Sequence, residues 1–174
     1  TIAINSNSVE IQEGANVLSF QQSLSFTGYT YTATVDGLDG VADTVFSPDG
    51  LYVYAIAKVD KSVTVFRRTS NNRLDFVQIL KDGQFGVDGL DEPTDIVISL
   101  DAAGRFVYVS SLRDHSVATF ERIPETGRLV YRGKFVDPDN QEIFNLAISP
   151  TIANLYVATK DSLLRLVRDT QTGL

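Results

Sequence analysis

The chain has 174 residues, of which 43% are apolar and 21% charged, with a formal net charge of −7 and no cysteine. That supplies one folded domain with a core and too little charge bias for wholesale disorder. The acidic balance excludes nucleic acid as a partner, the lack of Cys excludes disulfides and thiolate metal sites, and no apolar run reaches the roughly 18 residues of a membrane span, so no membrane insertion is expected. Thr1 opens the chain without Met or an apolar signal region, which reads as a processed or trimmed piece of something longer.

In chain order, residues 1–4 read as the end of a strand, 15–21 as a third strand and 29–35 as a fourth. Then Asp36-Gly37-Leu38-Asp39-Gly40 leads into a full set. Residues 41–47 form an inner strand, and Pro48-Asp49-Gly50 a tight turn in which Pro presets φ and Gly accepts φ > 0. Residues 51–57, 62–67 and 74–80 form the second, third and fourth strands. Apolar and polar positions alternate most clearly in the third, where Val63 and Val65 oppose Thr64 and Phe66.

The set then recurs. Asp88-Gly89-Leu90-Asp91-Glu92 repeats the earlier Asp-Gly-Leu-Asp string 52 residues on, followed by strands at 94–99, 106–111, 116–121 and 129–135. A third copy supplies strands at 143–149, 155–159 and 162–167. A period of about 50 residues built of short strands and turns reads as an all-β β-propeller with four-stranded antiparallel blades. The domain is therefore divided into a partial blade at 1–35, blades at 36–82 and 83–136, and a partial blade at 137–174. Because both ends fall within a blade, the rest of the propeller, from the same or another chain, is an expected partner. Alone, the open blade edges would not make a stable monomer.

Ser47-Pro48-Asp49-Gly50 followed by Leu51-Tyr52-Val53-Tyr54 resembles the SPDG-x-x-x-Y-V signature of the lactonase-like seven-bladed propellers. Phe106-Val107-Tyr108-Val109 and Leu155-Tyr156-Val157 are similar to the YVTN-type repeats of surface-layer propellers. The stretch from Ser116 through Thr126-Gly127-Arg128-Leu129 resembles the third-to-fourth-strand segment of the same group. The resemblance covers nearly the whole chain and implies the fold. Its implied activities range from 6-phosphogluconolactonase-like catalysis to bacterial surface proteins with no assigned reaction. The pattern is broken at Leu100-Asp101-Ala102-Ala103-Gly104, and no Gly follows Pro150.

Candidate chemistry gathers on one face, where each fourth strand joins the next inner strand. Those connections hold Asp36 and Asp39, then Asp82, Asp88 and Asp91, then Asp137, Asp139 and Glu142. Such a rim suits Ca²⁺ or another divalent cation, although Asp and Gly are also ordinary turn formers. Asp43, Asp95 and Asn145 each stand four residues before Ser47, Ser99 and Ser149 on the inner strands. They form a candidate metal-binding partial ring, of the kind the resemblance implies for metal-dependent propeller lactonases. The alternative role is structural, with each side chain bonding a neighbouring blade's backbone. Arg113, His115 and Lys58 on the second-to-third-strand connections are the candidate ligand-binding residues. His115 is the sole His, so a multi-His metal site is excluded.

Two functions fit. The first is a non-catalytic binding or scaffold module of a secreted or cell-surface bacterial protein, with a protein or carbohydrate ligand. The second is a metal-dependent lactonase-like hydrolase in which an ion at Asp43, Asp95 and Asn145 polarises a sugar-lactone carbonyl and Arg113 or His115 positions the substrate. The absence of a catalytic constellation favours the first; additional ligands at equivalent inner-strand positions would favour the second.

Overall fold

The computed structural model describes residues 2–5, 8–11, 36–101, 103–149, 153–169 and 171–173. Ile2–Asn5 (β1) pairs antiparallel with Ser8–Ile11 (β2); the sequence pointed to the first strand but not the second. The strands expected at 15–21 and 29–35 lie outside the described residues. From residue 36 onward every expected strand is present, shifted at its ends by one residue at most, and no helix occurs among the described residues.

The first sheet orders Val41–Phe46 (β3), Tyr52–Ala57 (β4), Ser62–Arg68 (β5) and Leu74–Lys81 (β6) side by side. The second orders Pro93–Ile98 (β7), Phe106–Ser111 (β8), Ser116–Arg122 (β9) and Leu129–Val136 (β10) likewise. The third joins Ile143–Ile148 (β11), Asn154–Thr159 (β12) and Leu163–Val167 (β13). All pairings are antiparallel between consecutive strands, as short hairpin connections dictate. The β3–β4 hairpin closes as the Ser-Pro-Asp-Gly string requires. Gly50 takes φ +67, its N–H donates to Ser47 O at 2.8 Å, and the Tyr52 N–H donates to Ser47 Oγ at 2.9 Å. In the second sheet Ser99 Oγ accepts the Phe106 N–H at 3.0 Å, so the departure at residues 100–104 preserves the closing bond.

The alternation in β5 does not separate core from solvent. Ser62 to Phe66 are all buried, because the sheet is covered on both faces. Val63 and Val65 join Tyr54, Ile56, Ile96, Val107 and Phe120 between the first and second sheets. Phe66 packs on the opposite face with Leu38, Val53 and Ala55. A third cluster of Phe106, Tyr108, Val117, Ile143, Leu146, Leu155 and Val157 lies between the second and third sheets. Tyr54, Phe66, Tyr108 and Phe120, which recur at equivalent positions of the strand sets, are buried, and Tyr156 is half-buried.

Phe120 is fully enclosed and meets Tyr131 edge-on at a centroid distance of 5.6 Å. Phe120→Ala is therefore expected to lose about 3–5 kcal/mol, the range for a buried aromatic ring. Chemical denaturation measures this. A loss below about 1 kcal/mol would contradict its place in the core.

Adjacent sheets are also latched by polar groups. Arg122 ends β9 with its side chain buried, and its Nε donates to Tyr54 Oη of the preceding sheet at 2.9 Å. Its Nη2 donates to Asp49 Oδ2 at 2.6 Å, and Nη1 donates to the Ala103 carbonyl. Tyr54 in turn donates to the Gly127 carbonyl at 3.0 Å. The same arrangement recurs one sheet on: Arg168 Nε donates to Tyr108 Oη at 2.6 Å, and Tyr108 donates to the Gly173 carbonyl at 2.8 Å. Both buried tyrosine hydroxyls thus find partners.

Candidate functional site

The connections into and within each blade meet on one face. Lys58 N–H donates to Gly40 O at 2.9 Å, Leu112 N–H to Glu92 O at 2.9 Å, and Lys160 N–H to Glu142 O at 3.0 Å. Carboxylates tie these loops together. Asp60 Oδ2 accepts the N–H groups of Gly37 (3.0 Å) and Asp39 (2.8 Å), and Asp114 Oδ2 accepts that of Asp91 at 2.6 Å. A lysine from the fourth strand bridges each pair. Lys81 Nζ stands 2.8 Å from Asp36 and 3.2 Å from Asp60; Lys134 Nζ stands 2.8 Å from Asp88 and 3.9 Å from Asp114.

The two clamps differ electrostatically. Burial raises the Asp60 pKa, but the donated Asp39 N–H and the close Lys81 outweigh it and hold the group below its ordinary value. Burial also raises that of Asp114, and there the Asp82 and Asp88 charges add to the effect against a more distant Lys134. Asp82, Asp88 and Asp114 present carboxylate oxygens within 4.8 Å of one another. Lys134 already sits against this cluster, and Asp82 Oδ1 accepts the Leu90 N–H at 3.0 Å.

Inner strands β3, β7 and β11 carry the candidate ring. Each has a register shift immediately before the residue in question, between Val41 and Asp43, Pro93 and Asp95, and Ile143 and Asn145. Such a bulge re-aims one side chain out of the pleat. Asp43 and Asp95 are thereby brought side by side, with Asp95 buried and Asp43 half-buried; Asn145, on the next strand, is exposed. Asp95 Oδ2 accepts the Leu146 N–H at 2.6 Å, and Oδ1 accepts the Ile96 N–H at 2.8 Å. Asp43 Oδ1 accepts the Thr44 N–H at 2.7 Å, and Oδ2 faces the Ile96 N–H at 3.4 Å. Burial pushes the Asp95 carboxyl up; the Leu146 N–H opposes this and the adjacent Asp43 carboxylate adds to it.

Together Asp43, Asp95 and Asn145 offer hard oxygen donors of the kind a divalent cation takes. Each carboxylate oxygen accepts one N–H and retains a second lone pair. The donor chemistry therefore fits such an ion, while the observed bonds fasten each inner strand to the next.

The candidate ligand-binding residues lie on the same face. Lys58 is exposed on the β4–β5 connection. Arg113 is exposed on the β8–β9 connection and pairs with Glu92 at 2.8 Å. His115 closes that connection with φ +48, its carbonyl accepts the Asp137 N–H at 2.8 Å, and its Nδ1 is buried without a hydrogen-bond partner among the described residues. Its positional equivalent, Lys61, reaches across to Asp91 at 2.8 Å. Sequence reasoning passed over Arg122, Arg168 and the lysine clamps. The available signal was an Arg at the end of the third strand in the second and third sets with a Gly five residues later, at Arg122/Gly127 and Arg168/Gly173.

Comparison with known proteins agrees with this architecture. No curated protein matches the chain detectably. A candidate 6-phosphogluconolactonase from Bacteroides fragilis shares 28% identity at a TM-score of 0.67, over 81% of this chain and 38% of its own. The periplasmic gluconolactonase of Pseudomonas aeruginosa also shares 28% identity at 0.67, over 81% and 39%. A candidate 6-phosphogluconolactonase from Bacteroides uniformis shares 25% at 0.69, over 96% and 45%. The chain thus spans about two-fifths of the length of these structures. Residues 6–173 match the family profile described as lactonase, seven-bladed β-propeller, and the chain belongs to that family.

Proposed function

We propose that this chain forms part of a propeller that hydrolyses a sugar lactone, with the substrate held on the connection face over Asp43, Asp95 and Asn145. The single observation that carries this reading is the juxtaposed Asp43–Asp95 pair at the bulged starts of two inner strands, in a chain of the lactonase family. The gluconolactonase neighbours support the substrate class. The periplasmic one supports a place outside the cytoplasm.

In the reaction, water adds to the lactone carbonyl carbon and the ring ester C–O bond breaks, leaving a hydroxy acid. A divalent ion, when bound, supplies Lewis-acid polarisation of that carbonyl. The chain's own residues do the positioning. Asp43 and Asp95 hold their carboxylates together through backbone N–H bonds, and Lys58, Arg113 and His115 rim the approach. The remainder of the propeller completes the ring.

The test is glucono-δ-lactone hydrolysis by the full-length protein, followed by pH-stat. The double variant Asp43→Asn/Asp95→Asn is expected to lose about 100-fold in kcat, the scale of one removed electrostatic contact. Asn keeps one acceptor oxygen at each position for the inter-strand bond. Added calcium is expected to raise the melting temperature of wild type by mass action and to leave the double variant unmoved. Equal shifts in both proteins would end the metal reading. The second reading, a non-catalytic scaffold, is favoured by one observation: every Asp43 and Asp95 carboxylate oxygen faces a backbone N–H. Lactone turnover no faster than the uncatalysed rate would establish it.

A further inference from the structure

Six residues other than glycine adopt a left-handed backbone among those described: Lys61, Asn72, Phe85, Glu92, His115 and Asn140. Phe85 alone is apolar, at φ +51, and its side chain is fully exposed at 101%. Two unfavourable choices coincide there. Left-handed backbone disfavours a bulky side chain, and water disfavours a bare phenyl ring. Asn or Gly would remove both.

The loop that presents the ring is tightly tied. Gly83 N–H donates to Val87 O at 2.9 Å, Gln84 N–H to Lys81 O at 3.2 Å, and Val87 N–H to Gln84 O at 2.9 Å. Val87 and Leu90 anchor it in the core between the first two sheets. The loop is open around its glycines: a Cβ built at Gly83 or Gly86 would meet nothing within 4 Å. Asp82 and Asp88 stand three residues to either side, and Lys134 reaches Asp88 at 2.8 Å.

We infer that Phe85 is a stacking platform for a neutral saccharide on the connection face. A pyranose ring offers a flat C–H face and a rim of hydroxyls. The phenyl face takes the first. Flanking carboxylates accept hydroxyl protons in charge-assisted bonds, and the Lys134 ammonium donates. The same carboxylates repel an acidic polymer. A protein partner would call for a contiguous apolar patch, whereas the chain neighbours of Phe85 are Gln84 and Gly86, with Gly83, Asp82 and Asp88 close in sequence. The platform concerns binding and stands apart from lactone hydrolysis.

Saturation-transfer NMR on the full-length protein tests this with cellopentaose, maltopentaose and an oligogalacturonate. Transfer is expected to the sugar C–H protons of at least one neutral pentasaccharide and not to the oligogalacturonate. Phe85→Asn is expected to abolish transfer with the melting temperature unchanged or higher, and Phe85→Tyr to retain it. Any one of three results overturns the inference: no transfer to either neutral sugar, undiminished transfer in Phe85→Asn, or a melting temperature several degrees lower in that variant, which would make the ring a structural support.

Discussion

Arg122→Ala is expected to destabilise the full-length protein by about 2–4 kcal/mol, the scale of losing several charge-assisted hydrogen bonds and the packing of a buried side chain. The Arg122 side chain is 1% exposed, and its guanidinium bonds Asp49, the Tyr54 hydroxyl and the Ala103 carbonyl while lying 5.5 Å from the centre of the Tyr52 ring. Truncation removes all of these contacts at once. Urea unfolding measures the loss, and a change below about 1 kcal/mol would show the latch to be dispensable.

The latch also sets a pH dependence. Burial pushes the Tyr54 hydroxyl up to about 12 against the Arg122 charge. The unfolded tyrosine ionises near pH 10 and the folded one does not, so stability falls as pH rises from about 10 toward 12. At the acid end, burial raises the Asp49 pKa, but bonds from Ser47, the Leu51 N–H and Arg122 outweigh it and hold the carboxyl below its ordinary value. That contribution is present above about pH 4 and is lost as pH falls through the lowered pKa. Arg122→Ala is expected to flatten the acid limb of a melting-temperature profile, and, by removing the charge that opposes burial at Tyr54, to leave the alkaline limb at least as steep.

Gly127→Ala is expected to cost about 2–4 kcal/mol, combining left-handed strain with overpacking. Gly127 has φ +69, and an added Cβ would fall 2.1 Å from Tyr52 Cδ1. The backbone cannot retreat freely, because the Gly127 carbonyl accepts the Tyr54 hydroxyl. Gly173 repeats the arrangement against Phe106, with an added Cβ 2.4 Å from Cδ1. Gly83→Ala provides the contrast: its φ is +70 but its Cβ meets no atom within 4 Å, so it is expected to show the strain without the clash. Thermal or urea unfolding of the two variants separates the effects. Equal losses would mean that the Tyr52 ring gives way.

Turn chemistry and two-residue periodicity are local, and the sequence by itself determined what depends on them. Ser47-Pro48-Asp49-Gly50 specified a hairpin, and the repeated Asp-Gly-Leu-Asp string set the blade period. The recurring Asp43, Asp95 and Asn145 marked one position on each inner strand. Tertiary structure alone decided what those residues touch. Asp49 read as a turn residue, yet its carboxylate receives Arg122 from 73 positions away. The ring position was legible. The bonds from Asp95 to the Leu146 N–H, 51 residues on, and the neighbouring Asp43 carboxylate were not. Phe66 and Phe120 occupy the same repeat position but lie in different clusters, because adjoining sheets present opposite faces to their shared core. A repeat reports which residues a sheet contains; the stacking of one sheet on the next decides which groups lose water together, and so which must be paired.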